Sequence, residues 1–432
     1  MKNPEDIFDS IQIQAFNAIE KANENVLILG SAGSGKSTFI SNLKMFSKKN
    51  IICVGPTAIA ALNIHGSTIH SLFKIKPGPF IHQELLSLKP KTKTILREAE
   101  VLLIDEVSMV APDLFDAMDK LARRARGGKL PFGGLQVVLV GDLYQLPPII
   151  TSTAKADYEE EYGDSDVYFF NSKAFAKMKY HSFFFEKIYR QTDIELLKNL
   201  NKLRNNDTSA IKFFNECRIE DPDRLEKSTV LTPYRKIADL INIQKLREIK
   251  SKEYTYSGIL TGTFSEKEVP VPIKLKLKIG ALVMFVKNHE HQDYYNGSLG
   301  IITDMQSSYV TVKLLSTGLE INVFKTSWEK VEYNRGLDDK LHEDVIGTYS
   351  QLPLALGYAV TIHKAQGKTL DSVILYMTEK GAFAHGQTYV ALSRTRSAKD
   401  IHIQSPLKKC DLIFDEKVLN FIEGLKSDAH CN

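Results

Sequence analysis

The chain has 432 residues, 43% hydrophobic and 25% charged, with 56 basic against 52 acidic side chains and a net charge of +4. That length predicts roughly two to four domains around separate cores, and the slight basic excess permits a phosphate-bearing partner without identifying one. No apolar run approaches the ~18 residues that span a bilayer, so no membrane partner is expected. The mixed charges of MKNPEDIFDS leave no room for a leader, which predicts an intracellular, cytoplasmic protein, and the compact ends favour a bacterial or viral source. Cys53, Cys217, Cys410 and Cys431 lie far apart, suggesting neither a disulfide framework nor a zinc site.

In chain order, a helical pattern leads into the apolar runs NVLILG at 25–30, IICVG at 51–55, VLLID at 101–105 and VVLVGD at 137–142. Each is followed by polar or glycine-containing sequence, which predicts an α/β fold with a parallel sheet and loops gathered at the carboxyl ends of its strands. The acidic stretch from Asp157 to Asp166 reads as a solvated loop. TVLTPY at 229–234, SVILYM at 372–377 and KDIHIQ at 399–404 predict a second α/β domain. Between them, Ile273, Leu275, Leu277 and Ile279 alternate with Lys274, Lys276 and Lys278 at the period of a half-exposed strand. Further strands at 281–286, 299–303, 309–315 and 319–324, with turn signals at Asn296-Gly297 and Gly318, predict a small β-barrel inserted in the second domain.

Gly30-Ser31-Ala32-Gly33-Ser34-Gly35-Lys36-Ser37 fits GxxxxGK[ST] in full, between a strand and the helical pattern Phe39, Ile40, Leu43, Phe46. Glycines let backbone N–H groups close around a phosphate, Lys36 reaches the β and γ phosphates, and Ser37 can ligate magnesium. Gly30 through Thr38 is therefore the predicted nucleotide loop. Asp105-Glu106 ends an apolar run, which suits Asp105 to the magnesium shell and Glu106 to positioning or deprotonating water. ATP and Mg2+ are the implied cofactors, and hydrolysis the implied reaction. Further on, Gln145 in Gly141-Asp142-Leu143-Tyr144-Gln145-Leu146-Pro147-Pro148 is a neutral donor suited to sensing a γ-phosphate.

With Pro56-Thr57-Ala58-Ile59-Ala60-Ala61, Thr68-Ile69-His70-Ser71-Leu72-Phe73 and Tyr389-Val390-Ala391-Leu392-Ser393-Arg394-Thr395, the sequence resembles the Pif-type DNA helicases of superfamily one, group B, beside the RecD-like enzymes. The resemblance runs from about Gln12 to about Ile403, with the motifs in family order. It implies two tandem RecA-like domains, the first over 1–70 and 98–180 and the second over 181–264 and 346–432. It also implies a wedge insertion at 71–97 and a Src-homology-like barrel at 265–345. Gln12 matches the residue that reads adenine; Arg190 and Arg394 match arginines that meet the γ-phosphate, and Gly367 falls in a segment touching the nucleotide cleft. Pro56, His65, Thr68, His70 and Phe73, together with Thr361, His363 and Lys364, match segments that carry single-stranded DNA contacts. In the wedge, Pro77, Pro79 and Phe80 are candidates for the strand-separating tip, and in the barrel Lys287 and Asn288 are candidates for DNA contact.

A 5′ to 3′ direction, duplex and G-quadruplex junctions as substrates, and roles in DNA repair, recombination and telomere maintenance are implied by the same resemblance. The motor needs only a monomer. Two other readings stay open on the residues themselves: a translocase or remodeller that moves without unwinding, and a P-loop kinase. The kinase reading leaves Gln145, Arg190 and Arg394 together without a purpose.

Overall fold

In the first domain the apolar runs show no polar alternation because both of their faces are covered. Leu27 and Leu29 join one core with Ile52, Leu102 and Leu139, while Val26 and Ile28 join another with Phe39, Leu103 and Val138. Successive side chains on a strand point to opposite faces, so a sheet sandwiched between helices needs apolar residues at every position. The computed structural model describes residues 3–76, 78–81, 88–150, 154–163, 168–289, 293–336 and 340–430. Its first sheet is parallel and six-stranded, in the order Ser67–Thr68, Ile51–Gly55, Val101–Ile104, Gln136–Gly141, Asn25–Gly30, Tyr180–Phe185. The two edge strands escaped the sequence reading, one because it has two residues and the other because its half-exposed aromatics carry no clear period.

The second sheet is parallel and four-stranded, in the order Ala359–Thr361, Thr229–Thr232, Val373–Leu375, Ile401–Ile403. Between its first two strands in sequence lies the barrel. A five-stranded antiparallel sheet, Glu320–Phe324, Tyr309–Leu314, Leu299–Met305, Leu282–Phe285 and Leu354–Leu356, shares a core with the pair Lys274–Lys278 and Glu253–Ser257. Leu275 and Leu277 face that core while the alternating lysines stay outside it, as the two-residue period requires. The body is wider than residues 265–345, because Glu253–Ser257 and Leu354–Leu356 pair with its outer strands.

A long hairpin, Thr326–Arg335 with Leu341–Gln351, reaches from this body to the first domain. The hydroxyl of the buried Tyr333 accepts from the Cys53 N–H at 2.9 Å and donates to the Cys53 carbonyl at 3.3 Å. Around it Glu332 pairs with Lys74 and Lys91, and Glu343 with Lys44 at 2.8 Å. These ion pairs are partly exposed and individually worth little, so the buried phenol is the stronger anchor. At the opposite end Phe421, on the C-terminal helix Glu416–His430, stacks on Phe170 at 4.2 Å.

Part of the acidic stretch is a helix, Lys155–Tyr162, rather than a loop, because Tyr158 is buried and the Tyr162 hydroxyl donates to Asp116 at 3.1 Å. Among the described residues no helix is long and apolar enough to cross a membrane.

Candidate active site

The phosphate loop leaves the strand Asn25–Gly30 and ends in the helix Lys36–Phe46, whose N-cap Gly35 has φ +84°. Gly33 has the same φ and faces Arg190 so closely that a Cβ there would lie 2.4 Å from the arginine Cβ. A residue with a side chain is excluded at that point by both backbone and space. The Lys36 ammonium donates to the carbonyls of Gly30 at 2.8 Å and Ser31 at 2.9 Å. Gly30 and Ser31 thus hold the lysine, and the cleft itself is lined from Ala32 through Thr38. Burial lowers the Lys36 pKa, opposed by the charges of Asp142, Glu106 and Asp105.

Asp105 and Glu106 follow the strand Val101–Ile104 and line the same cleft. Burial, reinforced by Glu106, pushes the Asp105 carboxyl up to about 7, and burial likewise raises Glu106. Two adjacent enclosed carboxyls resist carrying two charges unless a cation joins them. Asp105, Ser37 and the glycine loop fit magnesium and a triphosphate: an oxygen donor pair, a loop with positive φ at Gly33 and Gly35, and a lysine line one cavity of about 800 Å3. Gln145 lines this cleft, its amide donating to Asp142 at 2.9 Å.

The opposite wall comes from the second domain and the linker before it. Arg190 and Arg394 line the cleft together with Lys36 and Glu106, Arg190 near enough to Lys36 and Arg394 near enough to Glu106 for their charges to interact. Burial and the neighbouring Arg394 push the Arg190 guanidinium down to about 9, still protonated at neutral pH, and its buried Nη1 has no hydrogen-bond partner among the described residues. Arg394 is 1% exposed, and its Nε donates to the Val390 carbonyl at 2.6 Å and its Nη2 to the Ser393 hydroxyl at 2.6 Å. Gln366 donates to the Glu106 carboxylate at 3.0 Å, joining the two domains at the proposed base. Gln12 sits behind the loop, its amide nitrogen beside Gly35 and its carbonyl oxygen accepting from the Asp9 N–H at 3.2 Å.

Residues 2–221 match the family described as PIF1-like helicase. The Pif1 ATP-dependent DNA helicase of Bdellovibrio bacteriovorus is 32% identical, over 94% of this chain and 90% of its own. The chain belongs to the PIF1-like helicase family. Pif1 from Bacteroides in complex with ADP-AlF4 is 33% identical, with 98% of each chain covered and a TM-score of 0.90. Bacteroides Pif1 bound to single-stranded DNA, at the same identity and coverage, gives 0.69. At equal sequence similarity, the arrangement of bodies in this helicase is therefore nearer to the former.

The expected DNA-facing residues of the helicase fall into two groups. Thr68 and Thr361 stand at equivalent places, each ending a strand and capping a short helix, with hydroxyls accepting from the N–H of Ser71 at 3.1 Å and Lys364 at 3.2 Å. Lys364 and His65 are exposed, Pro56, His70 and His363 half-buried, and His363 stacks on Phe383 at 5.9 Å. Phe73 and Phe80 belong to the core instead, at 2% and 7% exposure. Phe80 is not a strand-separating tip: its N–H donates to Asp113 at 2.7 Å and its ring lies near His70. Pro79 is exposed, and Pro77 lies outside the described residues. Lys287 donates to the Ser327 carbonyl at 2.8 Å and lies over Trp328, while the exposed Asn288 accepts from the Asn296 N–H at 2.8 Å. Both side chains thus have partners within residues 288–328 of the same chain.

Tyr189, Thr192, Tyr295, Thr369 and Arg396 also line the nucleotide cleft and were absent from the sequence reading. Tyr189 adjoins the matched arginine, its N–H donating to the Gly33 carbonyl at 2.8 Å and its ring covering Gly35. Adjacency to Arg190 was the available signal. For Tyr295, more than a hundred residues away on the barrel, none existed.

Proposed function

We propose that this ATP-dependent DNA helicase moves 5′ to 3′ on single-stranded DNA as a monomer and unwinds duplexes and G-quadruplexes in the cytoplasm, in the service of repair, recombination and genome maintenance. The observation that carries the reading is the pairing across the cleft: Gln366 and Arg394 of the second domain meet Glu106 of the first, while Arg190, on the segment that joins the two, packs on the phosphate loop at Gly33. A site completed only by closure makes hydrolysis depend on domain movement, which is what a motor requires.

In this reading Lys36 leaves the Gly30 and Ser31 carbonyls for the β and γ phosphates, whose charge offsets the burial that lowers its pKa. Ser37 and Asp105 would hold magnesium, which neutralises phosphate charge when bound. Glu106, oriented by Gln366, positions the attacking water and takes its proton. Arg190 and Arg394 stabilise charge on the transferring phosphoryl group, and Gln145 turns from Asp142 to sense the γ-phosphate. Loss of that phosphate removes the anion that holds two guanidinium groups beside the loop, so the cleft reopens. Thr68 and Thr361, one on each domain and each capping a short helix, would mark the two segments that grip the strand alternately at backbone phosphates, without reading sequence. Direction is supported by the group-B resemblance.

Strand displacement on duplexes carrying either a 5′ or a 3′ tail tests the proposal. Unwinding from the 5′ tail alone is expected. Displacement from the 3′ tail alone overturns the direction, and movement on single strands without displacement from either substrate makes the chain a translocase.

A further inference from the structure

The barrel sends one turn into the nucleotide cleft. Residues 293–298 are anchored on the barrel side by Tyr294, which stacks on Phe285 at 3.9 Å. The Asn296 N–H donates to Asn288 at 2.8 Å, that of Gly297 to the Phe285 carbonyl at 2.8 Å, and that of Tyr295 to the Ser298 hydroxyl at 3.0 Å. On the motor side Lys368 donates to the Asn296 side chain at 2.6 Å, and a Cβ on Gly297 would lie 2.1 Å from the Thr369 carbonyl. Gly297 at φ +106° is the residue that permits both the turn and this approach. The clamp fixes Tyr295 on the lining of the cleft that also holds Lys36, Arg190, Gly367 and Thr369, yet the residue remains 48% exposed and its hydroxyl has no partner among the described residues. A phenol held by its backbone on a cleft lined also by a lysine and an arginine has a donor available to the anion those cations attract.

We propose that Tyr295 is a nucleotide-binding residue supplied by the barrel, its hydroxyl donating to a phosphate oxygen of the bound triphosphate. The inference rests on the reading of the cleft as the ATP site. It makes the barrel part of that site, so nucleotide occupancy and barrel seating influence each other reciprocally.

The test is equilibrium binding of ATP with magnesium, without DNA, to the full chain and its Tyr295→Phe and Tyr295→Ala variants. Inorganic tripolyphosphate serves as a competitor without base or sugar. Losing a hydrogen bond to a charged group predicts roughly tenfold weaker ATP binding for Tyr295→Phe, a similar loss for Tyr295→Ala, and the same factor for tripolyphosphate. Unchanged affinity in both variants overturns the proposal. So does a loss confined to Tyr295→Ala, which would mean ring packing rather than a phosphate contact. Lys36→Ala separates the two levels: if it binds ATP undiminished, the assignment of the cleft fails, whatever Tyr295 does.

Discussion

Replacing Arg190 by alanine should remove about three powers of ten from DNA-stimulated ATP turnover while leaving the fold nearly as stable. In the structure Arg190 packs its Cβ against Gly33, its guanidinium is buried within reach of the charge of Arg394, and its Nη1 has no hydrogen-bond partner among the described residues. Without an anion the arrangement is unfavourable, since burial and like charge both act against it. Its removal orphans no acceptor, so the stability change should stay within about 1 kcal/mol. An arginine delivered across a cleft to a transferring phosphoryl group contributes about 10³ to 10⁵ in rate, or roughly 4–7 kcal/mol of barrier. The lower end applies because Arg394 stays in place. ATP affinity should change by less than about tenfold, since the interaction strengthens in the transition state, and Arg190→Lys should recover little of the loss, because an ammonium lacks the planar fork. The assay is steady-state phosphate release at saturating oligonucleotide over a range of ATP, with thermal unfolding of the same samples. A fall in kcat below about tenfold, or a loss carried entirely by KM, would refute the assignment.

Tyr333→Phe should destabilise the protein by about 1–3 kcal/mol, because the Cys53 N–H that donates to the phenol at 2.9 Å is left unpaired in a buried place; an unchanged melting temperature would mean the hairpin is not docked in solution. His385 predicts a pH effect. Its Nδ1 accepts from the Asp415 N–H at 3.0 Å, which leaves Nε2–H to donate to the Leu143 carbonyl of the first domain at 3.1 Å, so the neutral ring is the one that fits. Burial lowers its pKa from the ordinary 6.5, so above that value the group adds no pH dependence. Below it the unfolded chain takes up the proton first, and stability should fall by up to about 1 kcal/mol per pH unit. The melting temperature of His385→Gln should therefore drop less than that of the parent between about pH 7.5 and 5.5; equal drops would exclude His385 as the source, because His70, His363 and His402 titrate in both proteins.

What the sequence determined by itself was whatever local geometry dictates. The phosphate loop is a run of consecutive residues whose glycines and lysine have one shared purpose, and Asp105-Glu106 had only to end a buried strand to face it. The inner strands of both sheets were legible for a related reason, since a strand covered on both faces is largely apolar, whereas the edge strands Ser67–Thr68, Tyr180–Phe185 and Ala359–Thr361 were not. Family order of the motifs added Arg190 and Arg394, whose side chains carry no local sign of a partner some distance along the chain. Tertiary structure alone decided which distant residues meet: Gln366 on Glu106, Tyr333 on Cys53, and Tyr295 in the lining of the cleft that holds Lys36. It also moved Phe80 from an expected tip to the core, because an aromatic after a proline reads alike whether its ring meets solvent or the protein interior. The physical reason is common to all of these. A side chain's chemistry is a property of its residue, but its partner is set by packing between bodies that the local sequence does not encode.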